Sequence, residues 1–99
     1  MAGFFSVTRT HEELSIVCPE SVIPVDVKQE SGWRMLKVEG PLEFGLTGVL
    51  ASIATPLAQA GISIFSIATF NTDYVLVKDA LVAEAVKALH AAGHTVRLD

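Results

Sequence analysis

The sequence has 99 residues, of which 51% are hydrophobic and 18% are charged, and its formal net charge is −4. This length fits one small domain, and the acidic balance argues against nucleic acid as a partner, because phosphate binding needs a basic face. The apolar runs stay well short of the roughly 20 residues that span a membrane, so no membrane partner is expected.

The first predicted elements are two strands, over residues 4–8 and 13–18, joined by a turn. In the second strand Leu14 and Ile16 alternate with Ser15. This period of two is typical of a half-buried strand, with one face towards a core.

Residues 19–32 are predicted to connect two parts of the chain. Pro19 and Pro24 exclude a central strand there, because proline lacks the amide that a sheet needs. The segment closes on a Ser-Gly pair, after which a regular pattern begins. We therefore expect an N-terminal strand pair with its connector over residues 1–32, and a main domain over residues 33–99.

The main domain alternates strand-like and helix-like patterns. Strands are predicted over residues 34–39, 62–70, 73–78 and 94–98, and helices over residues 46–60 and 80–92. Pro56 lies within the first helix and removes the hydrogen bond to the Ser52 carbonyl, so a kink is expected there. Asp79 is placed to cap the second helix.

This order of elements is two strand–helix–strand units in succession, which predicts an α+β fold of the ferredoxin-like βαββαβ type. Right-handed crossovers place both helices on one face of a four-stranded antiparallel sheet. The strand over residues 62–70 is apolar on both faces. We therefore expect the second face to be covered by the N-terminal strand pair or by another chain, as in a homodimer or a higher homo-oligomer.

No group of residues in the sequence predicts catalysis or a metal site. Cys18 is interpreted as a core thiol, and a single cysteine favours a reducing, cytoplasmic location. His90 and His94 are four residues apart, but Gly93 ends the helix between them, so surface positions are favoured over metal ligands. No cofactor is expected, and the chain is not expected to be an enzyme.

The segment ATFNTDYVLV, residues 68–77, places polar side chains where two strands meet. One interpretation is that Asn71 and Asp73 form a turn with its side-chain hydrogen bonds. The other is a small-molecule site. In it, Asp73 pairs with an ammonium or guanidinium group, and the helix start near Leu46–Gly48 offers backbone amides to a carboxylate. An amino acid carries both charges, and so fits the second interpretation.

Two stretches resemble one known family. GPLEFGLTGVLASIATPLAQAGISIFSIATFNTDYVLV, residues 40–77, and EELSIV, residues 12–17, are similar to the ACT domain family, in the subgroup of the CASTOR arginine sensors and small bacterial proteins. The resemblance implies a βαββαβ fold, side-by-side pairing of modules, and regulation by small ligands, commonly amino acids, bound between modules. It also implies that residues 1–32 correspond to part of a first ACT-like module.

The resemblance further implies a set of ligand contacts, matched motif by motif. They are Ser15 and Ile16 of EELSIV, Glu43, Phe44, Gly45 and Leu46 of EFGL, and Thr69, Phe70 and Asp73 of ATFNTDY. Two positions differ from the arginine-sensing members, which have an acidic residue at the position of Leu46 and a glycine at the position of Glu43. The resemblance therefore implies an amino acid as the ligand, without fixing which one.

These observations support three hypotheses of different classes. The first is a cytoplasmic, non-catalytic regulatory or sensor module that binds an amino acid between modules or chains and acts on an effector protein. The second is a structural oligomerisation domain without a ligand. The third is a small ferredoxin-like enzyme such as an acyl-phosphate hydrolase. It ranks last because Arg9, Arg34 and Arg97 do not lie in a phosphate-binding loop.

Overall fold

The computed structural model describes residues 3–39 and 48–97, and the chain divides into two compact units, Met1–Ser31 and Gly32–Asp99. The first unit contains two antiparallel strands, β1 (Ser6–Arg9) and β2 (Leu14–Val17). Thr10 closes the turn between them. Its amide donates to the Glu13 carbonyl at 2.9 Å, and its hydroxyl accepts from the amide of Glu13 at 3.1 Å.

The β1–β2 ribbon has one apolar face that is open to solvent within its own unit. Val7 lies directly opposite Ile16, and Phe5 and Leu14 continue the same face along the two strands. These four side chains are between 53% and 63% exposed, and no described residue of this unit is buried. A ribbon of two strands is marginal in water on its own.

The second unit contains three strands and two helices in the predicted order. They are β3 (Trp33–Lys37), α1 (Val49–Gln59), β4 (Ile64–Ala68), β5 (Asp73–Lys78) and α2 (Val82–Ala91). The described strands form an antiparallel sheet in the order β3-β5-β4, with β5 in the centre. The predicted α+β class, with an antiparallel sheet and two helices, is confirmed.

Both helices cover the same face of this sheet. Val75 and Val77 of β5 belong to one buried cluster with Leu57 of α1 and with Ala85 and Leu89 of α2. The side chains of Val75, Val77, Leu57 and Ala85 are fully removed from solvent. Each helix therefore turns one apolar stripe towards the sheet.

The opposite face of the sheet is covered by two aromatic rings. Phe65 lies opposite Leu76, and Trp33 lies opposite Lys78, all on this second face. The two ring centroids are 4.6 Å apart with planes at 80°, and the Lys78 ammonium lies 4.6 Å from the Trp33 centroid. The rings meet across β5, and Leu76 is 0% exposed. The central strand is thus buried on both faces.

Two predictions about the ends of elements are wrong. Asp79 does not cap α2: it opens a 3-10 turn, Asp79–Leu81, and its carboxylate accepts from Arg34 Nη1 at 3.0 Å. The strand predicted over residues 94–98 is also not formed in its described part, since residues 94–97 have no regular secondary structure. His94 and Arg97 bond through their side chains there.

Candidate functional site

Two threonines close the hairpin between β4 and β5. The Thr69 amide donates to the Thr72 carbonyl at 2.8 Å. The Thr69 hydroxyl donates to the same carbonyl at 3.1 Å and accepts from the Thr72 amide at 3.3 Å. This is the turn chemistry that short hydroxyl side chains provide. Among the described residues, the side chains of Asn71 and Asp73 form none of the hydrogen bonds of this turn, contrary to the first interpretation of this segment.

The hairpin is tied to the end of β3 by a buried hydroxyl. Thr72 is 5% exposed, and its hydroxyl donates to the Val38 carbonyl at 2.7 Å. The Val38 amide in turn donates to the Asp73 carbonyl at 3.0 Å. Asp73 is therefore held beside the residue that follows β3, at the edge of the sheet where the chain leaves for α1.

Replacing Thr72 by valine tests this tie. The change keeps the shape of the side chain but leaves the Val38 carbonyl without its donor, so we expect the free energy of unfolding to fall by about 1–3 kcal/mol. Urea denaturation measures it. The matched control, Thr72→Ser, keeps the hydroxyl and should lose about 0.8 kcal/mol for the missing methyl group. A valine variant as stable as the wild type would show that the bond contributes nothing.

The Asp73 carboxylate lies on the helix-packed side of the sheet. Side chains alternate along a strand, so Asp73 shares a face with Val75 and Val77, which contact both helices. It is half-buried. Within residues 3–39 and 48–97, no group forms a hydrogen bond or ion pair with this carboxylate. A carboxylate in this position is a ready acceptor for a cationic group.

The N-terminus of α1 provides the complementary charge. The helix begins at Val49, and Gly48 at its N-cap has a φ of 78°, a left-handed conformation that glycine adopts without strain. No side chain caps the helix among the described residues, and its first turn has no acidic residue. The first amides of a helix have no partner within the helix, and the helix dipole favours an anion there.

The chain order indicates that these two groups share one end of the sheet, because α1 is the element that follows β3. A helix that follows a strand begins near the end of that strand, so α1 starts beyond β3, where Val38 lies next to Asp73. Asp73 and α1 are also on the same face. A cationic group would be attracted to the carboxylate, and a carboxylate to the helix N-terminus.

The remaining predicted site residues divide into three groups. Thr69 and Phe70 lie in the same hairpin as Asp73, with Phe70 78% exposed at its tip. Ser15 and Ile16 lie in β2 of the first unit, on opposite faces of the ribbon. Four predicted contacts lie outside the described residues: Glu43, Phe44, Gly45 and Leu46.

One ion pair near this site was missed by sequence reasoning. Arg97 Nη2 lies 2.7 Å from Glu39 Oε2, immediately after Val38. Both side chains are more than two-thirds exposed, so the pair adds at most about 1 kcal/mol to stability. The pair instead positions the chain, because it holds the segment after α2 beside the end of β3. No sequence pattern links these two residues.

Two kinds of site find no support in the part of the chain that the structure describes. Residues 3–39 and 48–97 contain no cluster of three or more histidine, cysteine or acidic side chains able to hold a metal ion. None of the helices within these ranges has the length and apolar character needed to cross a membrane.

Comparisons with known proteins give one consistent result. A family model described as ACT domain matches residues 28–91, and a second model, of an N-terminal domain, matches residues 1–26. An X-ray structure of an Agrobacterium tumefaciens protein superposes with a TM-score of 0.92 at 41% identity, covering 100% of this chain and 74% of that chain.

Curated relatives include the protein named cytosolic arginine sensor for mTORC1 subunit 1. The Bos taurus protein is 43% identical over 95 residues, which cover 88% of this chain and 29% of the relative. The Mus musculus protein is 37% identical over 84 residues, which cover 77% of this chain and 25% of the relative. The chain thus spans less than a third of the length of these relatives.

Proposed function

The chain belongs to the ACT domain family, and on this basis we propose that it is a regulatory module that binds a free amino acid and has no catalytic activity of its own. One observation carries the proposal. The Asp73 carboxylate has no hydrogen-bond or ion-pair partner among the described residues, and it lies on the sheet face that packs against α1, whose N-terminus has no capping side chain among those residues. The names of the curated relatives support an amino acid, arginine, as the first ligand to test.

In the proposed complex Asp73 binds the cationic group of the amino acid, and the first amides of α1 bind its carboxylate. Both are charge-assisted hydrogen bonds, which are the stronger kind. The Thr69 hydroxyl already donates to the Thr72 carbonyl, so it is available to the ligand only as an acceptor, which suits an ammonium group. The exposed Phe70 ring gives the ligand an apolar wall.

We propose that Ser15, Ile16 and the residues from Glu43 to Leu46 complete the site across an interface between modules or chains. The open apolar face of the β1–β2 ribbon supports such an interface, because it needs a covering surface. The working form is then a cytoplasmic homodimer or a higher homo-oligomer. Ligand binding between modules favours one assembly over another, and this is how an effector protein would sense the ligand.

A thermal-shift screen with the free amino acids tests the proposal. At a hundredfold excess over Kd, a ligand of the folded state stabilises it by about 2.7 kcal/mol. For a domain of this size, that corresponds to several degrees in Tm at least. We expect L-arginine or another amino acid to give this shift. Agmatine, which lacks the carboxylate of arginine, should give a smaller shift. If none of the amino acids raises Tm, the proposal is wrong.

The structural oligomerisation domain is the second candidate, and the exposed ribbon face favours it. Sedimentation across protein concentrations, with and without the amino acids, separates the two functions. An oligomer that forms equally well with every amino acid and with none, and whose Tm does not respond to any of them, supports the structural role.

A further inference from the structure

A histidine replaces a backbone hydrogen bond that a proline removes. Pro56 lies inside α1 and has no amide hydrogen, so the Ser52 carbonyl loses its normal helical donor. His94 Nε2 lies 2.8 Å from this carbonyl oxygen. A carbonyl oxygen only accepts, so Nε2 carries the proton and donates it. The missing donor is thus supplied by a side chain 42 residues further along the chain.

The bond lies in the less deeply buried half of α1. Ser52 belongs to the N-terminal half of the helix, where its amide donates to the Gly48 carbonyl at 2.9 Å. The C-terminal half is anchored by Leu57, which is fully buried. Leu50 and Ile53 of the N-terminal half are only partly buried against the core. The position of this half therefore depends on the His94 bond more than that of the rest of the helix does.

His94 is itself held firmly enough to act as an anchor. Its amide donates to the carbonyl of Leu89, a buried residue of α2, at 2.9 Å. Gly93, with a φ of 94°, provides the left-handed turn that directs the chain there. Val96 packs against the core two residues later. The imidazole therefore links the N-terminal half of α1 to the end of α2.

We propose that His94 is a positioning residue for the amino-acid site. By holding the Ser52 carbonyl, it fixes the N-terminal half of α1, whose first amides bind the carboxylate of the ligand. This inference rests on the proposed function, and it adds a residue that does not touch the ligand. Without the imidazole, the first turns of α1 can move about the gap at Pro56, and the amides are no longer held in the geometry that the carboxylate needs.

A cycle of four proteins tests this role: the wild type, His94→Ala, Pro56→Ala and the double variant. The first measurement is the Kd by calorimetry, for L-arginine or for whichever amino acid raises Tm. The second is the rate of hydrogen exchange of the Ser52 amide. Loss of one hydrogen bond should raise both the Kd and the exchange rate by roughly two- to tenfold in His94→Ala. In the Pro56→Ala background alanine restores the amide donor, so removing the imidazole should change either quantity by less than about twofold.

Two controls separate positioning from general destabilisation. His90→Ala makes the same change on an exposed residue of α2 and should leave both readouts unchanged. His94→Gln retains an N–H donor and should recover part of the loss. Faster exchange with an unaltered Kd would show that His94 is merely structural, and unaltered exchange would overturn the inference outright. If the wild type binds no amino acid, the proposed function is wrong. Hydrogen exchange of the Ser52 amide in the four proteins then still shows whether His94 holds the helix.

Discussion

Replacing Asp73 by asparagine is expected to remove most of the stabilisation that an amino acid gives to the wild type. The substitution keeps the size of the side chain but deletes the charge that binds the cationic group. Hydrogen bonds to charged groups contribute about 1.5–3 kcal/mol, so the Kd should rise by roughly tenfold to more than a hundredfold. Calorimetric titration and the ligand-induced shift in Tm both measure this effect.

The fold itself should tolerate this change. The hydrogen bond that holds residue 73 to Val38 uses the backbone carbonyl, and it survives substitution of the side chain. Asp79→Asn is the matched control, because it makes the same change in charge at the other end of β5. It breaks the exposed pair with Arg34, which costs at most about 1 kcal/mol, and the response to the ligand should remain. A full response in the Asp73 variant would place the ligand elsewhere.

Replacing Leu76 by alanine is expected to lower the free energy of unfolding by about 2–5 kcal/mol, the range for a fully buried leucine. Leu76 lies on the sheet face away from the helices, where an isolated sheet would be wet. It is nevertheless 0% exposed, with Met35 and Phe65 as its cross-strand neighbours and the Phe65 ring in contact with Trp33. Guanidinium denaturation followed by the fluorescence of Trp33, the single tryptophan, measures the loss.

Val25→Ala provides the comparison for this substitution. Val25 is 98% exposed, so shortening its side chain should shift stability by no more than about 0.5 kcal/mol. Equal losses for Leu76 and Val25 would mean that the aromatic rings do not form a second core over the sheet.

The sequence pattern identified most of the second unit because its signals are local. The strand Asp73–Lys78 was predicted with its observed bounds, since an apolar run begins after a polar turn and stops at Asp79. The ends of the helices were less accurate. Gly48 and Leu81 occupy the N-cap positions without capping side chains, so the usual polar signal is absent. Asp79 has that signal, but Arg34, 45 residues away, occupies its carboxylate.

The candidate site was predictable only in part, for the same reason. The polar hairpin was visible in the sequence, and Thr69 and Asp73 do lie together in it. The partner of the Thr72 hydroxyl is the Val38 carbonyl, a contact across 34 residues that no local pattern contains. Similarly, Pro56 predicted a Ser52 carbonyl without its donor, but nothing near Pro56 indicated His94 as the replacement.

Because β5 is buried on both faces, its register in the sheet depends on hydrogen bonds at the ends of the strand. In most strands the alternation of apolar and polar residues fixes the register, because a slip by one residue would turn the apolar set towards water. Val75, Leu76 and Val77 are all fully buried, so a slip here would exchange one apolar residue for another. Two hydrogen bonds at the ends of the strand therefore fix its register. The Thr72 hydroxyl donates to the Val38 carbonyl at one end, and the Asp79 amide donates to the Gly32 carbonyl at the other.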